Sequence, residues 1–175
     1  MAYRNGTYIA FDGNGKTDPT KGDLKYLGIL RAWKESDNID FNFTDSHKKT
    51  YQVRDTSSEA TLKSRLEERM AGSKNMLVII SEDTNFDRGL LNWEIETAIN
   101  KYELPIIVAY TGEQFLPTLT HELIEKLPRE IWYSVKFGGN NFAHIPFTKD
   151  RIKRAVDHYS VVRGVYPTSE SEIFY

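Results

Sequence analysis

A glutamate near the start of one helix and a glycine-rich turn after one strand are where residue type and spacing in this chain best suggest chemistry. The segment Asn92-Trp-Glu-Ile-Glu-Thr-Ala-Ile99 is amphipathic. At about 3.6 residues per turn, Leu91, Ile95, Ala98, Ile99 and Tyr102 form one apolar stripe. Glu94 lies beside one edge of that stripe, Glu96 lies farther out on the other side, and Trp93 points roughly away. A carboxylate half-sheltered one or two turns into a helix can face a cleft, where it is placed for acid–base or charge-stabilising work. On geometry alone, a solvated surface glutamate is the better reading of Glu94.

The turn Asp12-Gly-Asn-Gly-Lys-Thr17 looks at first like a phosphate loop. The P-loop pattern needs a glycine where this chain has Ala10, and Asp18-Pro19 follows directly, so no helix start faces the phosphate position. A polar glycine-rich turn is the better reading, although its backbone donors could still help to bind a nucleotide. A phospho-acceptor receiver domain would need an acidic pair after the first strand and an aspartate ending the third. The chain offers Asp12 alone and Ser81, and only Lys136 fits. The four histidines, His47, His121, His144 and His158, do not stand at metal-ligand spacing, and no metal is expected. There is no cysteine, which excludes a disulfide scaffold, a thiolate metal site and a cysteine nucleophile. The net charge of −2 supplies no field for nucleic acid or anionic lipid. The basic clusters around His47 and Arg151 are offset by nearby acids and read as solvated faces.

These residues need a scaffold, and the chain alternates between two periodicities that supply one. Strand patterns fall at 7–11, 39–43, 75–80, 104–110 and 131–135. Helical patterns fall at 23–35, 56–71, 89–102, 119–127 and 148–162. Residues 138–144 read as a loop. Five β-α alternations predict an α/β fold, a doubly wound parallel five-stranded sheet of order 2-1-3-4-5 with helices on both faces. Ligands of such sheets bind outside the carboxyl ends of the strands, where strand order reverses. The loops at that edge are 12–19, 45–55 and 81–88. The N-terminus has no apolar signal core, and the longest apolar run, 76–80, is too short to span a bilayer. A cytosolic protein is expected.

Four stretches together resemble TIR-like domains, most closely the bacterial TIR-like proteins of the Thoeris anti-phage type. They are Tyr8-Ile-Ala-Phe-Asp12, Phe43-Thr-Asp-Ser46, Asn75-Met-Leu-Val-Ile-Ile-Ser81, and Phe86-Asp-Arg88 followed by Asn92-Trp-Glu-Ile-Glu96. The resemblance covers about residues 5–112. It implies a three-layer, flavodoxin-like fold; along the chain, 1–166 is expected to form one TIR-like α/β domain and 167–175 a C-terminal tail. Catalytic TIR domains cleave NAD at the nicotinamide–ribose bond. In Thoeris-type systems they make a nucleotide second messenger that activates a separate effector protein. Their essential glutamate lies on the helix after the third strand, which by motif position is Glu94, with Trp93 as the preceding aromatic and Glu96 as the fallback. Many TIR domains carry a tryptophan four residues before that glutamate, where this chain has Leu90.

Such cleavage suits one carboxylate. Nicotinamide leaves neutral from a pyridinium, and a preorganised anion stabilises the oxocarbenium-like ribose. Neither a metal nor a further cofactor is required, because NAD is the substrate. Phe11, Asp12, Asp45 and Ser81 are candidates for lining the site together with Trp93, and each of these four also has a plain structural reading as core or turn residue. Water as acceptor gives hydrolysis, and an ADP-ribose group as acceptor gives a cyclic product. An enzyme predicts that Glu94 faces an open cleft beside Asp12 and Asp45. The competing reading is a non-catalytic interaction module working by homotypic TIR–TIR assembly, with Trp93 and the Phe86 loop exposed and Glu94 paired at the surface. A flavodoxin-like nucleotide binder without turnover is the third.

Overall fold

The computed structural model describes residues 3–12, 24–36, 58–84, 86–87 and 89–168, and the backbone of 43–45. The predicted start of the second strand, the glycine-rich turn at 13–17, the loop at 46–55, His47 and the tail from 169 lie outside the described residues.

The run of apolar side chains from Met76 builds the central strand. Strand β3 (Ser73–Ile80) is buried on both faces, as a strand covered by helices on each side must be. It lies between β1 (Gly6–Ala10) and β4 (Ile106–Tyr110), with β2 (Phe43–Asp45) beyond β1 and β5 (Ala143–Pro146) beyond β4. All four strand pairs are parallel, in the order β2-β1-β3-β4-β5. Alternate side chains go to opposite layers. Tyr8, Ala10, Met76, Val78 and Ile80 pack under α2 (Glu59–Ala71), α3 (Gly89–Asn100) and α5 (Arg129–Phe137). Ile9, Phe11, Leu77 and Ile79 pack under α1 (Leu24–Ser36) and α6 (Lys149–His158).

Local chemistry fixes the helix ends. The Ser58 hydroxyl accepts the Thr61 N–H at 3.3 Å to cap α2. The short α4 (His121–Glu125) is capped in the same way, with Thr120 accepting the Leu123 N–H at 3.3 Å. At the end of α6 the side chain of Asn75 donates to the carbonyls of Val156 at 2.9 Å and Tyr159 at 2.7 Å. These are acceptors that a helix terminus leaves open. The helix therefore stops at His158, short of the 162 expected from the sequence. Ser160 and Val165 then exchange backbone hydrogen bonds of 3.0 Å across a turn in which Gly164 has φ +65°.

The sequence misplaces the fifth strand. Residues 131–135, Ile-Trp-Tyr-Ser-Val, are rich in strand-forming types but lie inside helix α5. Ile131 is buried, and Trp132 and Val135 are partly buried against the same core, which is a helical face and not an alternation. Pro128 stands at the entrance of α5, and Gly138 at its exit has φ +81°, where other residues are strained. The last strand is the four-residue Ala143–Pro146, within and just after the segment read as a loop. Lys136, the one residue fitting a receiver domain, is consequently on a helix before β5 and not after it.

Candidate functional site

The strand order reverses between β1 and β3, so the crevice of this fold opens at their carboxyl ends. Ala10 ends β1, with Phe11 and Asp12 directly after it, and Ile80 ends β3, with Ser81 directly after it. Helix α3 begins at this edge and runs back along the sheet. Glu94 is the sixth residue of α3, roughly 7.5 Å below its start at 1.5 Å of rise per residue.

Glu94 is only 2% exposed. The Tyr8 hydroxyl, from the middle of β1, donates to Glu94 Oε1. Burial pushes the Glu94 carboxyl up to about 8, while the Tyr8 hydrogen bond and the positive charge of Arg69 on α2 pull it down. In this arrangement the group is largely neutral at pH 7. The expectation of a glutamate facing an open cleft is therefore corrected, and so is that of a surface-paired one. The helical wheel put Glu94 at the edge of the buried stripe, but a tyrosine reaching across from the sheet provides the partner that burial demands. Tyr8 is a site residue that the pattern of β1 alone does not single out. The available signal was a tyrosine in a strand buried on both faces, whose hydroxyl needs a partner.

The other expected residues divide by layer. Asp12, 8% exposed, follows the carboxyl end of β1 by two residues. Ser81 is buried at the end of β3 and shapes a turn: its N–H donates to Thr84 Oγ1 at 2.9 Å, and its Oγ accepts the Asp83 N–H at 3.1 Å. Asp45 ends β2, paired in register with Ile9; its side chain lies outside the described residues. Phe11 packs in the α1/α6 layer, on the opposite face of the sheet from Glu94. Trp93 does not point away from the body. It is partly buried against the core, with the Lys63 ammonium 5.2 Å from its ring centre. Glu96 is exposed. Asn92 ties the helix start to its surroundings, donating to the Phe86 carbonyl at 2.9 Å and accepting the Arg129 N–H at 2.8 Å.

A cavity of about 240 Å³ lies at the carboxyl ends of β3 and β4, lined by Ser81, Tyr26, Glu82, Thr111, Thr120 and Lys126 among others. A larger one, about 480 Å³, lies at the opposite edge, where Leu104, Pro105 and Phe142 lead into β4 and β5. Volume alone would choose the larger one, but it is at the wrong end of the strands for this fold, and Glu94 lines neither cavity. Among the described residues, no three histidine, aspartate or glutamate side chains converge as metal ligands. Among them, too, no helix is long and apolar enough to cross a membrane.

The family model of the Thoeris protein ThsB, TIR-like domain, matches residues 8–114. This chain belongs to that family. The matched span runs from Tyr8, within β1, through β4 and includes Tyr8, Asp12, Asp45, Ser81 and Glu94. Membership supports an anti-phage, TIR-like role. Among solved structures, the domain is similar to a 2-deoxyribosyltransferase from the psychrotolerant bacterium Bacillus psychrosaccharolyticus. The TM-score is 0.50 at 12% identity, over 94% of this chain and 99% of that one. At that identity the likeness speaks to the flavodoxin-type fold alone.

Proposed function

We propose that this TIR-like domain cleaves NAD at the nicotinamide–ribose bond and passes on an ADP-ribose-type product, linear or cyclic, as a second messenger in anti-phage defence. The observation that carries the reading is Glu94, a carboxylate buried on the helix after the third strand and held by the Tyr8 hydroxyl from β1, within the span that matches the family model. NAD enters with its ribose over the carboxyl ends of β1 and β3. As nicotinamide departs neutral, ionised Glu94 stabilises the positive charge left on the ribose. Low dielectric around the carboxylate strengthens that interaction relative to water. Asp12, Asp45 and Ser81 hold ribose and phosphate-side polar groups, while Phe11 and Trp93 support the site from behind. Water or a group of the same nucleotide then takes the ribosyl cation.

Assembly of copies accompanies this activity. Phe86, Trp132, Tyr133 and Phe137 form a contiguous ring cluster with centroids 5.2–6.2 Å apart. Tyr133 is 50% and Phe137 74% exposed, an apolar surface suited to a second copy of the chain. Purified protein incubated with NAD, alone and with lysate from phage-infected cells, is expected to release nicotinamide, while Glu94→Gln does not. A folded wild type that leaves NAD intact under every condition would move the reading to a non-catalytic interaction module.

A further inference from the structure

We infer that Tyr8 is a positioning residue for Glu94: its hydroxyl, presented from the centre of β1, fixes one carboxylate oxygen and supplies the hydrogen bond that lets a buried acid carry charge. This inference rests on the proposed NAD-cleaving role of Glu94, and it assigns a second residue to that site.

The geometry carries the argument. Tyr8 is fully buried, and its ring belongs to the core between the sheet and α2 and α3. Packing on all sides leaves the ring few rotamers, so the hydroxyl is a fixed donor, not a roaming one. Glu94 comes from a different element, 86 positions along the chain, and meets that hydroxyl inside the protein. A purely apolar packing role would be met by phenylalanine, which has no group to place against the acid. The forces on Glu94 oppose one another. Desolvation favours the neutral acid, whereas Tyr8 from β1 and Arg69 from α2 favour the carboxylate. Among the described residues these are the titratable and charged groups from the packed elements that act on it. Arg69 acts through its charge. Tyr8 also constrains direction, because a hydrogen bond weakens steeply away from linearity.

The chemistry needs both effects. A carboxylate that rotates freely in its pocket presents its charge to the ribose only part of the time, and a neutral one presents none. A hydroxyl bound to one oxygen addresses both problems without competing for the second oxygen.

Tyr8→Phe keeps the ring and removes the hydroxyl. In Tyr8→Phe the pH midpoint of nicotinamide release is expected to move up by at least about half a unit, with kcat near neutral pH falling roughly tenfold and KM for NAD little changed. The loss is expected to be recovered in part at high pH. A merely structural role would lower activity equally at every pH. A second readout does not depend on catalysis. With ¹³C-labelled tyrosine, the Cζ resonance of Tyr8 should shift in wild type as Glu94 titrates near pH 8 and stay flat in Glu94→Gln. With ¹³C-labelled glutamate, the Glu94 carboxyl midpoint should rise in Tyr8→Phe. An unchanged Glu94 midpoint in Tyr8→Phe, or a Tyr8 resonance in wild type as flat as in Glu94→Gln, overturns the inference. Wild type that releases no nicotinamide while both resonances behave as expected sinks the NAD reading and leaves the Tyr8–Glu94 pairing standing.

Discussion

Two tyrosine hydroxyls meet buried titratable partners in the same layer of this molecule, with opposite consequences. Tyr8 on β1 bonds Glu94, and Tyr110 at the end of β4 bonds His144 Nδ1 at 2.8 Å. Burial drives each partner toward its neutral form: Glu94 up to about 8 and His144 down to about 4. For His144 the neutral imidazole is the finished state, since its Nδ1 shares a hydrogen bond with the Tyr110 hydroxyl and needs no charge. That pair lies on β4 and the edge strand β5, away from the β1/β3 reversal. For Glu94 the neutral form cannot stabilise a cation, and here Tyr8 and Arg69 work against burial. Burial of a titratable group therefore does not mark a site by itself. Opposed influences on one group, on the helix that follows the central strand at the strand-order reversal, are the more informative sign.

The largest expected difference between the two pairs is catalytic. Glu94→Gln should reduce nicotinamide release by roughly a hundredfold or more, the scale of losing a preorganised electrostatic group, whereas His144→Gln should leave it within about twofold. Mass spectrometry of the products separates these outcomes, and equal losses would erase the distinction.

The next effect is on stability, and its sign differs between the pairs. The folded-state pKa of Glu94 lies above the ordinary 4.5, so its contribution is full below pH 4.5 and is lost as pH rises through about 8. The window is worth on the order of 5 kcal/mol at most. Glu94→Gln, which keeps a polar partner for Tyr8, should therefore raise the thermal midpoint by roughly 5–10 °C at alkaline pH and little at acid pH. His144 runs the other way. Its folded value lies below the ordinary 6.5, so its contribution is full above pH 6.5 and is lost as pH falls toward about 4. That window is about 3 kcal/mol, and His144→Gln should flatten the acid limb of a melting-temperature profile. A single shared limb in wild type would mean that the two environments are alike.

Smaller still, Tyr110→Phe removes the hydrogen bond to His144 and should cost about 1–2 kcal/mol in a urea titration with no change in NAD cleavage. The control at the bottom of the scale is the exposed helix pair Lys153–Asp157, at 2.6 Å on α6. Asp157→Asn there should change stability by less than about 0.5 kcal/mol.

Much of this was legible in the sequence because it rests on local pattern. The apolar run of β3 needed no tertiary information, and neither did the stripe Leu91, Ile95 and Ala98 on α3. The position of Glu94 on the helix after that strand followed from the motif. What failed depended on distant contacts. Ile131 to Val135 have strand-forming side chains, and only their packing against α3 makes them a helix. The true last strand is four residues long and stands behind two glycines and two asparagines that read as loop. Glu94 looked half-exposed because its partner is Tyr8, 86 residues earlier, and no periodicity within α3 reports a residue on β1. Trp93 looked exposed for the same reason, since Lys63 and α2 cover it from another part of the chain.

The most direct measurement is nicotinamide release from NAD as a function of pH, wild type beside Glu94→Gln. A carboxylate that must ionise to act gives release that rises with pH and levels off above about 8 in wild type, with almost none in the variant. Release that is equal in the two proteins would contradict Glu94 as the group that breaks the bond.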